Sequence, residues 1–119
     1  MTTLFVAVGG TLGVLSRWGI TRLTLHSDAL LWSTVGINIA GSFLLGLLVA
    51  EDWFGRDLRE GLGVGFLGGF TTFSTFSVQI VLEGEAGRTG IVVAYLAASV
   101  IGGIAAAVAG YGLGRALAH

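Results

Sequence analysis

Charged residues cut this chain into apolar runs. Residues 29–50, 61–82 and 89–114 contain no Asp, Glu, Lys or Arg. At ~1.5 Å rise per residue, each run is long enough to cross a ~30 Å hydrocarbon core as a helix. The opening run, Met1 to Ser16, is also uncharged. It reaches only roughly 24 Å, so a crossing helix there must continue through Arg17 towards Leu25. The pattern predicts an all-α membrane protein with four transmembrane helices, at about 2–25, 30–50, 61–82 and 89–114. These form a single transmembrane domain over 1–119, joined by short connections at about 26–30, 51–60 and 83–88.

Composition sharpens this. Of 119 residues, 54% are hydrophobic and only 11% charged, which lies outside the range of soluble domains. No Lys or Arg precedes the first apolar run, so it does not read as a cleavable signal. The absence of Cys excludes disulfides and thiolate metal sites. A net charge of −1 without a basic run argues against nucleic acid as a partner.

Four spans place both termini and the 51–60 connection on one side of the membrane. That side carries Arg56, Arg59 and Arg115, and the other carries Arg17, Arg22 and Arg88. Such a balance gives no positive-inside preference. One reading is a chain that inserts both ways up and assembles as an antiparallel pair; the other is an orientation fixed by something else. Small-xxx-small spacings at Gly9/Gly13, Gly61/Gly65/Gly69 and Gly102/Ala106/Gly110/Gly114 suit close helix contact and, in so small a protomer, favour an oligomer.

Polar groups kept inside a membrane call for a functional hypothesis. Arg17 either snorkels to the interface or draws anions towards a path. Asn38 falls near the midplane of the second span, as an inter-helix hydrogen bond or as a donor into a polar cavity. Tyr95 and Ser99 lie four apart on one face of the fourth span, with Gly103 next along that row. His26 and His119, in a connection and at the terminus, are read as neither ligands nor catalysts.

The third span differs in kind. Residues 65–77 read GFLGGFTTFSTFS, and the centre of the uncharged run falls between Thr71 and Thr72. The Gly68-Gly69 pair relaxes the backbone at that depth, where non-helical chain is tolerated only if buried in protein or lining water. A broken helix exposes carbonyls that suit a cation and amide ends that suit an anion. Beyond it, Phe73 and Phe76 share a face and Ser74 and Thr75 add hydroxyls. No enzymatic constellation competes: there is no acidic residue within a span, no Ser-His-Asp set, no HExxH and no P-loop.

Three blocks, GGTLGVLSRW (9–18), NIAGSFLLG (38–46) and GFLGGFTTFSTFS (65–77), resemble the signature segments of the Fluc/CrcB fluoride channels, in order and over essentially the whole chain. The resemblance implies an antiparallel, dual-topology homodimer in a prokaryotic inner or plasma membrane, with two fluoride pores along its interface. It implies a structural Na⁺ at the dimer centre, held by backbone carbonyls of the third-helix break, here Gly68 and Thr71. It assigns Phe73 and Phe76 to the pore walls, Asn38 to the pore asparagine, and Ser74 and Thr75 to hydroxyls beside the rings. Arg17 matches the first-helix arginine, and Tyr95 and Ser99 match a polar track on the fourth helix. Two positions depart from the family pattern. Gly103 stands where that track often has a hydroxyl, and Gln79 where an acidic residue often follows the second phenylalanine.

The implied function is passive, fluoride-selective export of the cytoplasmic ion. The alternative is a small four-helix proton-coupled multidrug exporter, whose chemistry requires a carboxylate in the membrane. A third reading, a non-transporting scaffold, leaves the cost of a buried polar break unexplained.

Overall fold

The computed structural model describes residues 1–24 and 27–118; Leu25, His26 and His119, read above from the sequence, lie outside them. The chain has no proline, so nothing forces its apolar runs out of helix. Helix α1 is Thr2–Leu23 and α2 is Ser27–Ala50. The third span opens as α3, Arg56–Glu60, widens into a π-helical segment, Gly61–Leu67, and returns to α-helix as α4, Gly68–Phe70. After a non-helical step it continues as α5, Ser74–Glu85, and α6 follows as Thr89–Leu117. Four stretches are long and apolar enough to cross a membrane: Thr2–Leu23, Asp28–Ala50, Arg56–Glu85 and Thr89–Leu117. Helix α1 does run past Arg17, as the length of its apolar run requires.

Two helix pairs make up the body. Helix α1 lies along α3, the π segment and α4, while α2 lies along α6. Glycine allows both approaches. A Cβ on Gly65 would stand 2.7 Å from the Val6 carbonyl oxygen, and one on Gly114 would stand 2.6 Å from that of Leu47. No side chain fits there, so the small-residue spacings are used within one chain. The glycine rows therefore carry no argument for a second copy. Between the pairs, Leu31, Val35, Phe76 and Tyr95 form the buried core.

The ends are tied by polar contacts. At one end Glu51 is buried; it meets Arg59 Nη2 at 3.3 Å, and its carboxylate accepts from the Trp53 N–H. Thr2 donates to Asp57, joining α1 to α3. At the other end Arg88 bridges Asp28 at 2.7 Å and Glu83 at 3.0 Å. The hydrogen bond that Arg88 donates to the Asp28 carboxylate is the main cause holding its guanidinium above its ordinary pKa.

Candidate functional site

The non-helical step covers residues 71–73. Thr71 is extended, with φ −83° and ψ 157°, and Phe73 returns to helical angles at φ −91° and ψ −35°. Four of the backbone groups displaced there have identifiable partners. The Thr72 N–H donates to Asn38 Oδ1 at 2.8 Å, and Asn38 Nδ2 donates to the Thr72 carbonyl at 2.9 Å. Asn38 thus behaves as a peptide group lent by α2, replacing the helical bonds Thr72 has lost. The Thr75 N–H donates to Thr72 Oγ1 at 3.2 Å, which satisfies one free amide of the new helix start. Arg17 Nε donates to the Gly69 carbonyl at 3.1 Å.

These bonds free particular oxygens. In a continuous helix the Gly68 carbonyl accepts from the Thr72 N–H and the Thr71 carbonyl from the Thr75 N–H. Both amides are turned elsewhere. The two oxygens so released are those of the positions that the family resemblance assigns to Na⁺, and carbonyl oxygens of unwound helix are the donor type that suits such an ion. Among the described residues there is no His, Cys, Asp or Glu cluster to offer another metal site.

Hydroxyls divide into two groups. Those of Thr71 and Ser77 bond back to Leu67 and Phe73, each at 2.9 Å. The Ser74 and Thr75 side chains make no hydrogen bond to any described residue, so they retain their donors. Phe73 and Phe76 meet at 5.8 Å between centroids with their planes tilted by 51°. Their surroundings differ: Phe73 is 77% exposed, whereas Phe76 is 6% exposed. Phe76 in turn meets Tyr95 edge-on at 5.1 Å. A cleft of about 280 Å³ opens beside the step, lined by Asn38, Thr71, Thr72 and Phe73 among others.

Tyr95 is fully buried, and its hydroxyl donates to Gln79 Oε1. Gln79 is itself buried, yet its Nε2 has no partner, and the buried Ser99 Oγ has none either. The Tyr95 proton is thus already committed, and the unspent polar groups of this cluster are the Gln79 amide and the Ser99 hydroxyl. Read as a sequence, Gln79 is only a departure from a pattern. Its spacing, three past Phe76, puts it on the same face, and that was the available signal.

A family model described as CrcB-like protein, Camphor Resistance (CrcB), matches residues 4–111. The chain belongs to this family. Among curated CrcB relatives, a protein of Novosphingobium aromaticivorans is 39% identical, covering 98% of both chains. One from Agrobacterium fabrum is 42% identical over 94% of each, and one from Thermus thermophilus is 41% identical over 96% of this chain and 95% of its own. All three are named fluoride-specific ion channel FluC. With its four membrane-crossing helices, this CrcB-family chain is a multi-pass membrane protein.

Proposed function

We propose that this chain is a passive fluoride channel, conducting through two pores formed by an antiparallel homodimer. The observation that carries fluoride is the name shared by relatives about 40% identical over nearly their whole length. The geometry supports an anion path. Fluoride is strongly hydrated, so it enters a narrow passage only where fixed donors replace its water. The unspent donors are the Ser74 and Thr75 hydroxyls, the second Asn38 N–H, the Gln79 amide and the Ser99 hydroxyl. Phenyl edges are electropositive, so Phe73 and Phe76 attract the ion without trapping it as a full charge would. Arg17, half-exposed beside the step, raises the local anion concentration.

Shape supports the dimer. The protomer measures 49 × 29 × 19 Å, so its thin dimension holds about two helices of 10–12 Å diameter. A slab of that thickness leaves Phe73 and the cleft open at its flank, and a second copy closes them. The carbonyls of Gly68 and Thr71 from two copies supply four oxygens for one Na⁺. When bound, that ion is structural, joining the two steps.

The drug-exporter reading lacks its carboxylate. Glu51 is the one acidic residue that is fully buried among those described, and Arg59 and the Trp53 amide occupy it. The test is efflux from proteoliposomes loaded with fluoride or chloride. Fluoride should leave quickly and chloride should stay, while Phe76→Ile should abolish the flux with the dimer intact. Fluoride loss no faster than from empty liposomes would reject the function, and full flux in Phe76→Ile would reject the ring-edge mechanism. Stripping Na⁺ in a parallel arm should lower flux or loosen the dimer.

A further inference from the structure

Serine and threonine inside these helices mostly bond back to their own backbone. Ser33 and Thr34 donate to Leu30 at 2.9 and 3.1 Å, Thr11 to Ala7 at 2.9 Å and Ser16 to Leu12 at 2.8 Å. Ser42, one turn past Asn38 on α2, does not. Its hydroxyl has no partner among the described residues, although the same back-bond is open to it.

The direction it takes follows from the register of α2 against α6. Gly102 faces Ile39, Gly103 faces Ser42, Gly46 faces Ala107, and Gly114 faces Leu47. The two helices therefore run parallel and advance together. A Cβ on Gly103 would lie 3.8 Å from Ser42 Oγ, its nearest neighbour. One turn earlier on both helices are Asn38 and Ser99, the latter with its own hydroxyl unpartnered.

Ser42 also joins two open spaces. It lines the cleft of about 280 Å³ beside the step. It lines as well a groove of about 460 Å³ that follows the α2–α6 seam to Tyr111. Between Ser42 and Tyr111 the groove walls are apolar, formed by residues such as Leu45, Val49, Ile104 and Val108. Ser42 is thus the hydroxyl at which the polar cleft gives way to an apolar groove.

We propose that Ser42 is an anion donor of the conduction path, supplying from α2 the hydroxyl that Gly103 leaves missing on α6. The proposal rests on the fluoride-channel reading. A donor at this point lets the ion keep a partner as it passes from the Asn38 cleft into the groove. Because Gly103 has only ordinary contact distance to its neighbour, a serine there fits and its hydroxyl falls beside position 42.

The experiment compares fluoride efflux from proteoliposomes for wild type, Ser42→Ala, and Ser42→Ala combined with either Gly103→Ser or Gly103→Ala. Loss of one hydrogen bond to an ion should slow Ser42→Ala about tenfold. Gly103→Ser should restore the double variant to within about threefold of wild type, and Gly103→Ala should leave it slow. The thermal midpoint of Ser42→Ala should match wild type, since no bond within the protein is lost. Wild-type flux in Ser42→Ala, a lowered midpoint, no rescue by Gly103→Ser, or equal rescue by Gly103→Ala would each overturn the donor role while leaving the channel standing. A wild type that passes no fluoride would overturn both.

Discussion

Asn38 satisfies both the N–H and the C=O of one residue, Thr72, from 34 positions away in the chain. Truncating it leaves a half-buried N–H and a half-buried C=O without their partners, and each such group costs up to about 1–3 kcal/mol. Asn38→Ala should therefore lower both the thermal midpoint in detergent and the fluoride flux, the latter by tenfold or more on the same scale. Asn38→Asp retains the acceptor for the Thr72 N–H but loses the donor to its carbonyl, so it should fall between. A wild-type midpoint in Asn38→Ala would show that water takes over the clamp. The same scale separates hydroxyls that composition treats alike: Thr71 and Ser77 are spent on their own helix, while Ser42, Ser74, Thr75 and Ser99 are not.

Among elements, the contact of α1 with the third span admits little change. Gly65 meets Val6 and Gly10 backbone, and Gly69 meets Gly10 and Val14. Gly65→Ala should cost about 1–3 kcal/mol through overpacking. Gly19→Ala, in the same α1 but with nothing within 4 Å of its Cβ, should be neutral or stabilising, since alanine is the better helix former. Equal thermal midpoints for the two variants would contradict the seam. The four spans were legible in the residue string because lipid forbids charge and the chain has little of it. Partnership was not legible. A glycine row reads the same whether its neighbour is the same chain or a second copy, and here it is the same chain. Nor does the spacing of Gln79 reveal that Tyr95 will give it its proton. That depends on how α5 and α6 converge on the Phe76 core.

At the scale of the molecule, with Arg17 held against the Gly69 carbonyl, the remaining arginines divide three against two between the ends of the spans, and little in that count favours one orientation. The chain has no Cys, so a single Ala116→Cys, on the exposed end of α6, can be read cleanly. In intact cells a membrane-impermeant maleimide should label about half the copies if insertion goes both ways. All or none would establish one orientation and exclude an antiparallel pair. One further feature turns the buried cluster into something observable. Trp32 meets the Tyr95 ring edge-on at 6.5 Å, and Trp18 and Trp53 are the other two tryptophans of the chain. With those two replaced by Phe, the remaining indole becomes an optical reporter one ring removed from the Tyr95–Gln79 pair. Its emission should then follow fluoride and ignore chloride, so that occupancy can be titrated at equilibrium, in detergent, without any ion having to cross a membrane.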